Sequence, residues 1–236
     1  MQDAVFGFLG GTGPSLAAAI VGAFAAYATA FAADVAETLA EDGHLIPEMG
    51  RRLRDGGVRS GGGRLRFAAV TALICALVPL IVTIPLPALA ILIALAVPAA
   101  VMDVRLLVIP EEFTWALLFA GALLSPWHLG AEDAIAGAAI ASAVTWVTMT
   151  VMEYRTGLPM RSGGDVAAAA AGGAWVGMTS SGVFVLCACA IFMAYAALSG
   201  ALAERRFLPM GPALLAAIPI APVLNSWIEG LVAGAL

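Results

Sequence analysis

The sequence predicts an all-α fold, a polytopic membrane bundle of about eight transmembrane helices. Hydrophobic residues make up 62% of the chain and charged residues only 11%, whereas soluble domains carry roughly 25% charged residues. The mean hydropathy is +0.99, and several apolar runs approach the ~17–25 residues that a helix needs to cross a bilayer. These observations exclude an ordinary soluble domain, and the net charge of -5 gives no indication of a nucleic-acid partner.

Apolar runs and the residues that break them give the order of the helices. Prolines 85 and 87 separate the second run from the third, and the segment 125–133 separates the fourth from the fifth. Thr179-Ser180-Ser181-Gly182 is a weaker break between the sixth and the seventh. The predicted spans are 15–36, 67–83, 86–102, 113–125, 134–152, 166–178, 182–201 and 210–232. We divide the chain into residues 1–66, one helix with an arginine-rich loop, and residues 67–236, a membrane core of seven helices.

The basic residues of this chain are all arginines, and their positions predict its orientation. With eight spans, every arginine falls in a loop on the same side of the membrane: 51, 52, 54, 59, 64, 66, 105, 155, 161, 205 and 206. Cytoplasmic loops are enriched in arginine and lysine, so this side is predicted to be cytoplasmic and both termini to lie outside. We therefore expect a multi-pass protein of the cytoplasmic (inner) membrane. Its polar loop, 38–66, suits either solvent or contact with lipid headgroups.

Two carboxylates in this chain sit at the ends of apolar runs on the predicted cytoplasmic side. Asp103 ends the third run, and Asp165 opens the sixth after Ser162-Gly163-Gly164. A carboxylate at such a position is costly and usually has a function, so the pair suggests an acid/base site. Two other interpretations stay open: Asp165 as a helix N-cap, and Asp103 as the partner of Arg105 in an ion pair. The three cysteines lie inside apolar runs and indicate neither a metal site nor a disulfide framework.

Three segments follow one another along the chain: Asp103-Val104-Arg105 with Ile109-Pro110, then Ser162-Gly163-Gly164-Asp165-Val166, then residues 207–214. In this order they resemble the motifs of type IV prepilin peptidases, which include the archaeal preflagellin peptidases and are GxGD-type intramembrane aspartic proteases. Asp103-Val104-Arg105 followed by Ile109-Pro110 and Phe113-Thr114 is similar to their D-x-R…IP(N/D)xLT motif. Ser162-Gly163-Gly164-Asp165-Val166 is similar to their GxGDv motif, and residues 207–214 to a segment that opens the last helix of bacterial members.

The resemblance implies a membrane-embedded aspartic endopeptidase that cleaves the leader of type IV prepilin-like or pseudopilin precursors, the substrates of type IV pilus and type II secretion systems, at the cytoplasmic face. By the same resemblance Asp103 and Asp165 are the catalytic dyad, and no metal or organic cofactor is expected. The residues that would shape the site or bind the substrate are Arg105, Pro110, Glu111, Ser162, Gly163 and Gly164. The expected partners are the precursor, with its basic leader and transmembrane helix, and membrane lipids.

The sequence departs from the family pattern at a few positions. Ser162 replaces the first glycine of GxGD, Ala167 the lysine that usually follows, and Glu111 the asparagine or aspartate after the proline. The paired-cysteine zinc loop of many bacterial members is missing, so N-methyltransferase activity is not expected. Two alternatives remain from the sequence: a proton-coupled small transporter, and an inactive family member that binds pilins.

Overall fold

The computed structural model describes residues 18–23, 69, 71–73, 75–76, 78–79, 84–157, 162–198 and 208–235, without the side chains of 105, 106 and 235. Throughout these residues the regular elements are helices and no strand occurs, which agrees with the predicted helical membrane protein. The chain divides into two compact units, Met1–Val108 and Ile109–Leu236, and each is described by itself. The boundary predicted at residue 66 lies outside the described residues and stays a prediction.

The first unit contains helix α1, Leu86–Leu106. Prolines favour its start, because Pro85 precedes it and a proline in the first turn sacrifices no hydrogen bond. The helix ends where Leu107 adopts a left-handed conformation, with φ 53°, and donates its N–H to the Asp103 carbonyl oxygen at 2.9 Å. Buried Leu89 and Ile93 pack with Ala18 and Cys75 in an apolar core. The helix runs four residues beyond the predicted span 86–102, so Asp103 lies within its last turn.

The second unit contains four helices: α2, Glu111–Leu124; α3, Ala131–Thr156; α4, Gly163–Leu198; and α5, Gly211–Ala235. Pro110 precedes α2, and Glu111 and Glu112 occupy its first turn, where a helix dipole favours acidic groups. Helix α3 ends at Gly157, which takes the left-handed φ of 67° and donates its N–H to the Glu153 carbonyl oxygen at 2.8 Å. These ends agree with the predicted spans to within a few residues.

Helix α4 is a hairpin of two helical arms, 163–176 and 178–198, that fold back on each other at Gly177. Gly177 has φ 75° and ψ 176°, far from helical values. A Cβ added to Gly172 would lie 2.8 Å from Cε2 of the fully buried Phe184. These residues are twelve positions apart and would be about 18 Å apart along a straight helix. The break between the sixth and seventh predicted spans is therefore real, but it lies at Gly177 and not at 179–182.

Helix α4 lies at the centre of this unit, since it packs against α2, α3 and α5. On the α3 side two glycines face each other: a Cβ on Gly137 would clash with the Gly173 carbonyl oxygen, and a Cβ on Gly173 with that of Gly137. On the α2 side the fully buried Trp175 donates its Nε1–H to the Leu117 carbonyl oxygen at 2.9 Å. Small residues thus let helix backbones approach closely, as is common between membrane helices.

Four of the described helices are long and apolar enough to cross a membrane: Leu86–Val104 of α1, then α3, α4 and Gly211–Gly234 of α5. In this count α4 is one element of 36 residues, although it turns at Gly177. Helix α2 has 14 residues, about 21 Å, and is shorter than the roughly 30 Å hydrocarbon core. The first two predicted spans, 15–36 and 67–83, lie largely outside the described residues. The chain is therefore a multi-pass helical membrane protein, and the number eight stays a prediction.

Candidate active site

The junction that carries Asp165 is the first turn of α4. Ser162 is the N-cap residue, because its Oγ accepts the Asp165 N–H at 3.4 Å and its carbonyl oxygen accepts the Val166 N–H at 3.3 Å. Asp165 is then the third residue of the helix, in its first turn. The interpretation of Asp165 as the N-cap is wrong, because Ser162 occupies that position. A carboxylate in this turn faces the positive end of the helix dipole.

Two of the sequence motifs meet at the start of this helix. A Cβ added to Gly164 would lie 3.4 Å from the Ile109 Cβ, so the backbone of the Gly-Gly-Asp segment lies against Ile109, which is buried. Pro110 follows directly and precedes α2. The Thr114 hydroxyl donates to the Glu111 carbonyl oxygen at 2.9 Å and ties the first turn of α2 together. The Ile-Pro motif and the Gly-Gly-Asp motif therefore form one neighbourhood within the second unit.

The remaining predicted site residues differ in how they are placed. Asp103 belongs to the first unit and is only 5% exposed, which is unusual for an aspartate. Gly163 begins α4, with open space around its Cα. The side chain of Arg105 lies outside the described residues, so its pairing with Asp103 stays a prediction. Among the residues that the structure describes, no group of three or more His, Cys, Asp or Glu side chains is arranged to hold a metal ion.

A polar cluster at the other end of the first arm was not predicted as a unit from the sequence. We call it the turn clasp and define it by Ser125, His128, Asp133, Gly177 and Met178. The Asp133 carboxylate accepts two backbone N–H groups, that of Met178 on Oδ1 at 3.0 Å and that of Leu129 on Oδ2 at 3.1 Å. The Ser125 hydroxyl donates to the Trp175 carbonyl oxygen at 2.5 Å.

His128 completes the turn clasp through both of its ring nitrogens. Its Nδ1 accepts the Gly130 N–H at 3.2 Å, so that nitrogen carries no proton, and Nε2 donates to the Gly121 carbonyl oxygen at 2.9 Å. The sequence contained one signal for the cluster: Asp133 stands three residues after Gly130, where an acidic side chain can reach backbone N–H groups near a helix start. It gave no indication that the same carboxylate also reaches Met178, 45 positions along the chain.

Comparison with known proteins matches residues 89–198 to the model of the type IV leader peptidase family. A curated relative, the prepilin leader peptidase/N-methyltransferase of Pectobacterium carotovorum subsp. carotovorum, is 34% identical over 89 residues. That alignment covers 37% of this chain and 32% of the relative, so the chain matches about a third of the relative's length. No solved structure matches the chain significantly.

The matched region extends from α1 to the end of α4 and includes both aspartates and the Ile-Pro and Gly-Gly-Asp motifs. The family predicted from the ordered motifs is thereby confirmed. Residues 89–198 are thus similar to the type IV leader peptidase family.

Proposed function

We propose that the chain is an aspartic endopeptidase that removes the leader of prepilin-like precursors, with Asp103 and Asp165 as its catalytic pair. The observation that carries the proposal is the family match over residues 89–198, since both aspartates lie inside the matched range, in segments that resemble the family's motifs. The local structure supports it: Asp165 lies in a capped first helical turn beside Ile109, and Asp103 is a buried carboxylate in the last turn of α1.

Two carboxylates suffice for the chemistry of peptide hydrolysis. One ionised carboxylate takes a proton from the attacking water, and the other, protonated, donates a proton to the oxygen of the scissile carbonyl. Neighbouring carboxyl groups do not both ionise readily, so a dyad holds one proton between its two members and titrates as a unit. We assign the general-base and general-acid roles to the pair as a whole.

The proposed site faces the cytoplasm. Arg155 lies in the last turn of α3 and Asp165 in the first turn of α4, with six residues between the helices, so both belong to the same end of this unit. All the arginines of the chain fall on that side in the eight-span arrangement, and arginine-rich loops favour the cytoplasmic side. Prepilin-like substrates carry a basic leader ahead of a hydrophobic helix, and in the proposed orientation the leader and the aspartates are on the same side of the membrane.

The proposal is restricted to the peptidase reaction. The printed name of the Pectobacterium relative also includes an N-methyltransferase, but the alignment covers 32% of that protein. This chain contains three cysteines, all in apolar runs and none in the paired-cysteine loop that accompanies the second activity in many bacterial members.

The test is cleavage of a prepilin-like precursor that is co-expressed in the same membranes. Cleavage is measured as the decrease in the size of the precursor. We expect Asp103→Asn and Asp165→Asn each to lower the rate by at least about a hundredfold, since general acid–base groups contribute roughly 10²–10⁴-fold. Glu132→Gln is the matched control, because Glu132 is an exposed acidic residue in the first turn of α3. Normal processing by either asparagine variant, at normal abundance in the membrane, would rule out that residue as catalytic.

A further inference from the structure

We propose that Asp133 is a positioning residue for the reaction: through the turn clasp it fixes the tilt of the α4 arm that carries Asp165. The inference rests on the proposed function, and it concerns a residue at the opposite end of the arm from the site. Asp133 lies outside both aspartate motifs, and its only signal in the sequence is that of an acidic residue in a short loop.

The first step is the backbone at Gly177. A turn between two helices leaves the first N–H groups of the second helix without intrahelical partners. Such groups need a partner from a side chain, from solvent or from a ligand. The Met178 N–H finds one in Asp133 Oδ1, at 3.0 Å. The Gly177 carbonyl oxygen accepts from the Ser181 hydroxyl at 2.6 Å.

The second step is that one carboxylate serves two segments. Asp133 Oδ2 accepts the Leu129 N–H at 3.1 Å while Oδ1 holds Met178, so the loop 125–130 and the turn of α4 are fixed to each other. The charge is well placed, since Asp133 lies in the first turn of α3 and at the start of the second arm of α4, and both helix N-termini favour an anion. Hydrogen bonds to a charged acceptor are roughly twice as strong as neutral ones.

The third step is the distance between the turn and Asp165, because a small rotation at the turn displaces the far end of the arm. Asp165 stands twelve residues before Gly177, about 18 Å along the helix. A change in tilt of about 3° at the turn therefore moves Asp165 by about 1 Å, a displacement that can cost about a hundredfold in rate. The contact between Gly137 and Gly173 and the bond from Trp175 to Leu117 lie near the turn. They hold the arm near the turn, and Gly164 lies against Ile109 at the other end of the arm, so the turn clasp is one of the contacts that set its tilt.

Glycine at position 177 supports the same conclusion. Its φ of 75° is unfavourable for residues with a side chain, and a Cβ there would lie 2.7 Å from Asp133 Oδ2 and 2.9 Å from the His128 Cβ. The turn and the carboxylate are thus packed directly against each other. A displacement of the Asp133 side chain cannot be absorbed by empty space between them.

The experiment compares the wild type with Asp133→Ala, Asp133→Asn and the control Glu132→Gln in lipid nanodiscs, using a purified prepilin-like precursor. Alanine removes both acceptors, whereas asparagine keeps one. We expect kcat per folded molecule to fall about 10–100-fold in Asp133→Ala and by a smaller factor in Asp133→Asn. KM should stay within about threefold, and the control within about twofold of wild type on both parameters.

Amide hydrogen exchange at Met178 and Leu129 is measured on the same samples and does not depend on catalysis. Both amides should exchange faster in Asp133→Ala, and one of them in Asp133→Asn, with no change in Glu132→Gln. Unchanged exchange, or faster exchange with an unchanged kcat, overturns the positioning role. If the wild type and Glu132→Gln do not cleave the precursor, the proposed function fails, while the exchange result still decides whether the turn clasp exists. If Asp133→Ala does not fold, Asp133→Asn supplies both readouts.

Discussion

Replacing Gly137 by alanine should lower the stability of the second unit, because α3 and α4 touch through their backbones at this point. A Cβ on Gly137 would lie 2.7 Å from the Gly177 carbonyl carbon and 2.9 Å from its oxygen, and closer still to the Gly173 carbonyl oxygen. All three atoms belong to the backbone, so no change of rotamer relieves the overlap. The helices must separate by some tenths of an ångström.

The magnitude follows from what this separation disturbs. Inserting a methyl group into a tightly packed interior costs typically about 1–3 kcal/mol. The Ser181 hydroxyl donates to the Gly137 carbonyl oxygen at 3.2 Å across the same contact. This hydrogen bond becomes longer when the two helices separate. Alanine recovers roughly 0.5–1 kcal/mol because it forms helices better than glycine. We expect a net loss of about 1–2 kcal/mol in the free energy of unfolding.

The assay is unfolding in mixed detergent micelles, with loss of helix followed by circular dichroism. Gly182→Ala is the matched control: Gly182 is an exposed residue of the second arm of α4, and a Cβ there would meet no atom within 4 Å. The control should be as stable as wild type or slightly more stable. Gly173→Ala should lose a similar amount to Gly137→Ala, and the double variant less than the sum, because the first methyl group already separates the helices. Equal stability of Gly137→Ala and Gly182→Ala would refute the close backbone contact.

Two further changes test local features. The Thr145 hydroxyl is buried without a hydrogen-bond partner among the described residues, whereas Thr148, Thr150 and Thr156 on the same helix donate to carbonyl oxygens at 2.8 Å. Thr145→Val should therefore raise the free energy of unfolding, by up to about 1–3 kcal/mol, and a lower value in the same unfolding assay would contradict this. Ser162→Ala removes the N-cap of α4 and should cost about 1 kcal/mol, while Ser142→Ala, at a half-buried serine in the interior of α3, should cost clearly less. Equal losses in the two serine variants would show that Ser162 is not a cap.

The helices were predictable from the sequence because the bilayer demands long apolar runs, whereas the turn of α4 was not predictable at its true position. The polar residues Thr179, Ser180 and Ser181 suggested a break, but Ser180 and Ser181 are buried inside the second arm. The single hydroxyl proton of Ser181 is shared between the Gly177 carbonyl oxygen, at 2.6 Å, and the Gly137 carbonyl oxygen, at 3.2 Å. Composition alone does not reveal which nearby glycine takes a positive φ, because that depends on Asp133 and His128 from the preceding loop.

The part of the site that could be predicted from the sequence consists of residues that belong to short local motifs. The neighbourhood of Ile109 and the Gly-Gly-Asp segment follows the order of the motifs. The family pattern presented Ser162 only as a replaced glycine, and the structure adds that its hydroxyl caps α4. The contribution of Asp133 was not predicted from the sequence, because its hydrogen-bond partner Met178 lies 45 positions along the chain. Resemblance to a family identifies residues that belong to a shared motif. Hydrogen bonds between residues far apart in the sequence are identified only from the folded structure.

The most direct test of the central claim is single-turnover cleavage by Asp103→Asn, Asp165→Asn and the double variant, with Glu132→Gln as control. If the two aspartates act as one acid/base unit, each single variant loses about as much rate as the double variant, because removing either member disables the pair. The predicted result is three nearly equal losses of at least about a hundredfold and a control at the wild-type rate. Losses that multiply, with the double variant slower by the product of the two single factors, would show that Asp103 and Asp165 act independently and would contradict the shared site.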